Sequence, residues 1–270
     1  MTDSAAVNLI ARPSPNFNDR PTGMAIDLLL LHYTGMSTGE EAIGRLTDAA
    51  AKVSSHYVVE EDGRVFALVP EEKRAWHAGA SYWAGETDIN GCSIGIEIVN
   101  AGHEFGYRAF PDVQIAALEE LCQEILSRHP IPPSRVLGHS DVAPERKEDP
   151  GELFPWARLA AKGIGIWHHR RVVAPSHMKE GDISHLLERL EVIGYRGTVA
   201  SEDAARKIVT AFQRHWLPDA IGTADEGRPT PKTISAASEI VSAMRRANIE
   251  YQSAHPSAEK RTRSRGEPGA

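Results

Sequence analysis

The sequence predicts an α/β fold: a mixed central sheet flanked by helices, followed by a small C-terminal three-helix domain. Three observations carry this. Residues 25–32 (AIDLLLLH) form an apolar run of strand length, the kind that is buried on both faces of a sheet. Residues 111–128 carry apolar side chains at helical spacing between strand-like stretches, and such alternation of strands and helices argues for an α/β layer. Beyond residue 180 come three stretches of 3.6-residue periodicity with no strand between them.

In chain order, a polar lead-in rich in Pro and Asn precedes the strand over 25–32, which ends at His32. Residues 55–69 read as two β-rich runs around Asp62-Gly63, a pair suited to a tight hairpin turn. Residues 91–100 (GCSIGIEIVN) read as a strand in which Ile94, Ile96 and Ile98 alternate with Ser93, Gly95, Glu97 and Val99. The helix over 111–128 is opened by Pro-Asp and closed by His129-Pro130, with Val113, Ala116, Ala117, Leu121, Ile125 and Leu126 as its stripe. A short β-like piece at 135–137 leads into a loop that runs from Gly138 to Gly151, and 154–162 turns helical. The expected organisation is a catalytic domain over 1–167, a linker over 168–180, a helical domain over 181–249 and a disordered tail over 250–270 that lacks large apolar residues. Asp182, Ser201 and Thr230 are the candidate N-caps of the three late helices. A bundle of about 65 residues is near the lower limit for independent stability, so it is expected to lean on the first domain.

Composition narrows the function. The 270 residues are 41% hydrophobic and 25% charged, and the net charge of −7 repels polyphosphate backbones, so nucleic acid is not an expected partner. The two cysteines, Cys92 and Cys122, lie in no ligand spacing and read as small core residues. No apolar stretch is long enough for a membrane span or a signal peptide, so the expectation is a soluble, cytoplasmic protein with no membrane partner.

A catalytic zinc takes three nitrogen or oxygen ligands from the protein and keeps one position for water. His32 at a strand end, His139 after the short strand and Asp149 ten residues later are candidates, because functional loops converge at strand ends in open sheets. Each has a plainer reading. A lone histidine at a strand end is commonly hydrogen-bonded to its neighbours, and Asp141 or Asp149 serves equally as a turn or helix cap. HxxxH and HExxH are both absent, so spacing alone does not establish a metal site.

Local wording adds to this. His32-Tyr33-Thr34-Gly35, the strand from Ser93 to Asn100, Gly138-His139-Ser140-Asp141, and Arg146-Lys147-Glu148-Asp149-Pro150-Gly151 occur in one order. Between them lie Ser54-Ser55-His56-Tyr57-Val58-Val59 and Ala75-Trp76-His77-Ala78-Gly79. Over residues 12–167 the chain resembles the N-acetylmuramoyl-L-alanine amidases of the type 2 amidase family. The resemblance is nearest to the cytoplasmic anhydro-muropeptide amidases of cell-wall recycling, and looser to their envelope relatives and to peptidoglycan recognition proteins.

The resemblance implies Zn2+ held by His32, His139 and Asp149, with Glu97 as general base and then acid and Lys147 stabilising the oxyanion. It implies hydrolysis of the amide between N-acetylmuramic acid, expected in the 1,6-anhydro form, and L-alanine of peptidoglycan fragments. Physically, Glu97 interrupts a run of isoleucines, and a buried carboxylate is costly unless paired, coordinated or useful. Tyr33, Trp76 and His77 are candidate substrate-binding residues, although Trp76 reads equally as core. His56 reads as a structural hydrogen-bonding residue, and the adjacent His168 and His169 as linker surface. Ala211-Phe212-Gln213-Arg214-His215-Trp216 is similar to the signature of peptidoglycan-binding three-helix domains, while Phe212 and Trp216 read equally as core. Three alternatives stay open: an envelope amidase acting on intact peptidoglycan, a non-catalytic peptidoglycan receptor, and a different amide or ester hydrolase that shares the zinc centre. Protein partners are not legible.

Overall fold

The computed structural model describes residues 7–169, 172–173 and 182–255. The strands are β1 (Leu9–Ala11), β2 (Phe17–Asp19), β3 (Leu28–Tyr33), β4 (Tyr57–Val59), β5 (Val65–Ala67), β6 (Lys73–Ala75), β7 (Ser93–Ile98) and β8 (Val136–Gly138). The helices are α1 (Gly39–Thr47), α2 (Ile89–Cys92), α3 (Gly102–Phe105), α4 (Asp112–Arg128), α5 (His139–Val142), α6 (Trp156–Ala160), α7 (Ile183–Ile193), α8 (Glu202–Trp216) and α9 (Pro231–Ala254).

Six strands form one sheet in the order β1-β5-β4-β7-β3-β8, and β2 pairs with β6 apart from it. The sheet is mixed but mostly parallel: only the β4–β5 pair, joined through Asp62-Gly63, is antiparallel. Gly63 has φ of +86°, a value that favours glycine. The apolar run before His32 is explained by its two faces. Leu29 and Leu31 pack with Ile94, Ile96 and Ile98 against Ile115, Leu118, Leu121, Cys122 and Ile125 of α4. Leu28 and Leu30 face the other way, into a core shared with Leu190, Phe212, Trp216 and Ile240 of the late helices. Phe212 and Trp216 are thus core residues, fully or almost fully buried.

Several local expectations change. Val113, counted in the α4 stripe, is 55% exposed, because the buried face is set by the i, i+3, i+6, i+7, i+10 row from Ile115. The strand over 91–100 starts only at Ser93, since Asp88 caps a helical turn through Gly91. The loop after β8 opens instead with the helical turn α5. Helix α1 was not foreseen; Thr38 caps it and Ala42, Ile43 and Leu46 are its buried positions. Asp182, Ser201 and Thr230 each accept a hydrogen bond from a backbone N–H of their helix. Helix α9 runs to Ala254, into the stretch expected to be a tail, while 256–270 and most of the expected linker lie outside the described residues.

Candidate active site

Strands β3, β7 and β8 lie side by side and run in parallel, so their carboxyl ends meet at one edge. In that register His32 is opposite Glu97, and Leu31 is opposite Gly138, the residue before His139. The chain leaves β8, makes the α5 turn and comes back, where the Asp149 carbonyl accepts from Ser140 N at 2.9 Å. Residues 107 and 117 positions apart thereby meet. His32 Nδ1 is 3.0 Å from His139 Nδ1, and Asp149 Oδ2 is 3.0 Å from the first and 3.1 Å from the second. All three residues are buried, and among the described residues they are the one His/Cys/Asp/Glu group that can hold a metal ion.

The donor set fits a cation on its own chemistry. His139 Nε2 lies 3.1 Å from the Ala78 carbonyl and 3.4 Å from the Arg146 guanidinium; the shorter contact, to an acceptor, favours the ring proton on Nε2 and a lone pair on Nδ1. His32 Nε2 is 3.0 Å from His77 Nδ1, and His77 Nε2 is 3.2 Å from Ser93 Oγ, a chain in which His32 can donate outward and keep a lone pair on Nδ1. Burial, the neighbouring His139 and Lys147 push His32 down to about 4 despite Asp149, so it is neutral at pH 7. Burial alone would raise the Asp149 carboxyl, but His139 and His32 outweigh it and hold it below the usual range. Two imidazole nitrogens and a carboxylate oxygen thus face one another at 3.0–3.1 Å, the donor types a divalent zinc takes. For ligands at about 2.0–2.1 Å from a tetrahedral ion the donor atoms sit about 3.3 Å apart, close to the triangle observed.

Glu97 Oε2 is buried without a hydrogen-bond partner. Its carboxyl is pushed well above the ordinary range by burial and by the Asp149 charge, with Lys147 opposing. A cleft of about 420 Å³ opens over the triad, and Glu97, Lys147, Tyr33, Trp76 and His77 all line it. Larger hollows of about 920 and 800 Å³ lie beside α9 and between the α5 turn and the segment after α7, and neither contains the triad, so chemistry rather than size locates the site.

His77 stands over Gly95, where a Cβ would come within 2.5 Å of its Cγ. Gly95→Ala is therefore expected to displace His77 from His32 and weaken metal retention by about 10-fold, as loss of outer-shell support does; unchanged metal affinity in a chelator competition would contradict this. His56 is structural: Nδ1 accepts from Gly95 N at 3.0 Å, and Nε2 meets the Lys73 carbonyl at 3.1 Å. Burial and Arg20 push it to about 3. Neutral His32 and His56 make the unfolded chain the better proton acceptor below about pH 6.5. Metal-free protein is thus expected to lose stability as pH falls from about 6.5 towards 4; flat melting temperatures across that window would contradict it.

His103 was not anticipated. From α3 its Nδ1 meets Tyr33 Oη at 3.0 Å and its Nε2 meets Glu152 at 3.1 Å, on the wall of the cleft. Arg146, noted in the sequence only as part of a motif, donates to the Ala78 and Ala80 carbonyls beside His139. Neither residue has a spacing signal in the sequence. His169 is exposed and His168 packs against Trp167, apart from the cleft.

The sequence profile of the family described as N-acetylmuramoyl-L-alanine amidase matches residues 22–152. The chain is 38% identical over 214 residues to the N-acetylmuramoyl-L-alanine amidase AmiD of Escherichia coli K12, covering 72% of this chain and 75% of that protein. It is 33% identical to the 1,6-anhydro-N-acetylmuramyl-L-alanine amidase AmpD of Haemophilus influenzae, over 54% of this chain and 86% of that one. The solved structure of E. coli AmiD in complex with the substrate anhydro-N-acetylmuramic acid-L-Ala-D-gamma-Glu-L-Lys superposes with a TM-score of 0.73 at 32% identity, covering 84% of this chain and 97% of that one.

Proposed function

The chain belongs to the N-acetylmuramoyl-L-alanine amidase family and is an amidase, and from that premise we propose that it is a zinc enzyme which hydrolyses the amide joining anhydro-N-acetylmuramic acid to L-alanine in peptidoglycan fragments. The anhydro preference is supported by the names of the relatives: AmpD is named for the 1,6-anhydro sugar, and AmiD has been solved with an anhydro substrate. The observation that carries the zinc assignment is the triangle of His32 Nδ1, His139 Nδ1 and Asp149 Oδ2, with edges of 3.0–3.1 Å and the far nitrogens of both rings already engaged.

In this reading His32, His139 and Asp149 hold the ion. A zinc ion held there would supply Lewis acidity, polarising the lactyl carbonyl and making water a nucleophile near neutral pH. Glu97, whose Oε2 has no partner of its own, takes a proton from the attacking water and delivers it to the leaving amine of L-alanine. Its register opposite His32 puts it on the triad's face of the sheet. Lys147 lines the same cleft and stabilises the negative charge on the former carbonyl oxygen as the carbon becomes tetrahedral. Tyr33, Trp76 and His77 form the cleft wall, with His77 acting mainly by holding His32.

Lys147→Ala is expected to lower kcat by about 10²-fold with metal content intact, the size of effect seen when one oxyanion donor is lost. Steady-state kinetics beside metal analysis check it, and an unchanged kcat would remove Lys147 from this role. The substrate assignment is tested by mass spectrometry of purified protein mixed with anhydro-muropeptide, with and without chelator. Release of the free peptide from L-alanine, abolished by chelator, is expected; cleavage of intact sacculi in preference to fragments would contradict it. The cytoplasmic placement belongs to the same proposal, and amidase activity pelleting with the cell envelope would contradict that. Among the described residues no helix is long and apolar enough to cross a membrane.

A further inference from the structure

We infer that the late helices take part in the reaction through positioning residues: Tyr195 and His215, by way of Asp141, set the turn that presents His139, and Arg214 sets the segment that carries Lys147 and Asp149. The inference rests on the metal-site reading above.

Asp141 lies two residues after His139 and is 1% exposed. Its carboxylate does not face the triad. Oδ2 accepts from Gly138 N at 2.7 Å, which closes the α5 turn, and from His215 Nδ1 at 2.7 Å. Oδ1 accepts from Tyr195 Oη. Two of these three donors come from beyond residue 182, that is, from just past the C-cap of α7 and from the last turn of α8. His215 cannot swing away: its ring lies between Trp156 and Trp216, each 3.7 Å from it centre to centre and inclined by 21° and 6°. Next to it, Arg214 donates to Glu148 Oε1 at 2.7 Å, and Glu148 sits between Lys147 and Asp149. Arg214 Nε is also 3.7 Å from Glu152, which receives His103 and through it Tyr33.

Attachment alone does not need this. The shared apolar core already joins the helices to the sheet, and a buried carboxylate is a poor adhesive because its desolvation offsets much of what it gains. What a fully hydrogen-bonded buried carboxylate provides is one geometry, and this one is applied to the backbone that aims a metal ligand.

The test is a zinc affinity series on the full chain, by competition with a chromophoric chelator, read beside kcat and melting temperature. Tyr195→Phe removes one donor at nearly constant volume, and His215→Phe removes the other while keeping a ring between the tryptophans. His215→Asn restores an N–H near the Nδ1 position. Ile240→Ala, fully buried in α9 and away from Asp141, supplies a destabilised control. Weakening of zinc binding by about 10-fold or more is expected for Tyr195→Phe and His215→Phe, with recovery in His215→Asn, the range found when outer-shell partners of a metal ligand are lost. Ile240→Ala is expected to lower the melting temperature and leave zinc affinity unchanged. Parent-like zinc affinity in Tyr195→Phe and His215→Phe, or an equal loss in Ile240→Ala, would overturn this inference alone. A parent protein that binds no zinc would overturn both it and the metal reading.

Discussion

Glu97→Gln is expected to lower turnover by about 10²–10⁴-fold while the protein keeps its metal and its fold, the range that loss of a positioned general base removes. The side chain keeps its shape, so packing against the strand is undisturbed. What changes is basicity, since an amide cannot take the proton that Glu97 is proposed to move from water to amine. Glu97 Oε2 has no internal partner, so no hydrogen bond of the resting fold is broken. The same substitution removes a buried carboxyl held far above its ordinary range by burial and by Asp149, and such a group destabilises the fold when charged. Melting temperature is therefore expected to hold or rise as activity falls. Near-parental kcat in Glu97→Gln would show that another group carries the proton.

The second large effect is metal removal. Chelation is expected to take activity to background, and added zinc to restore it in the parent chain. Asp149→Ala is expected to show the same loss without rescue, because only two imidazoles and no carboxylate remain to hold a divalent ion. Zinc at 100 times its Kd adds about 2.7 kcal/mol of stability, so the parent should melt at a lower temperature after chelation. Asp149→Ala should melt at one temperature with or without zinc. Full zinc-dependent rescue of Asp149→Ala would remove this carboxylate from the ligand set.

The three donors were legible in the sequence because each ends or follows a strand, and because the words around them resemble a family. Composition and spacing alone left His32 and Asp149 with plainer readings, and nothing local distinguishes a ligand aspartate from a cap. Asp141 shows how narrow that margin is: two residues from His139, it is a cap and a tether, with its oxygens on Gly138, His215 and Tyr195. The regular elements followed from their periods, as with the strand before His32 and the helix from Asp112. The phase of that helix was misjudged at Val113 because an exposed valine in a first turn looks no different in sequence from a buried one. The three-residue strands β1, β2 and β6 are too short to show a period. The contacts of His103, Arg146, Arg214 and His215 were not legible because each reaches 49 to 74 residues away along the chain, and single-sequence patterns do not report on such separations.

X-ray absorption at the zinc edge, together with metal content, interrogates the centre itself. One zinc per chain is expected, with two imidazole nitrogens and one carboxylate oxygen at about 2.0–2.1 Å, and Asp149→Ala should carry no zinc. A purified chain that cleaves muropeptide at full rate with no metal bound, or a zinc ion held by a donor set without imidazole, would contradict the account.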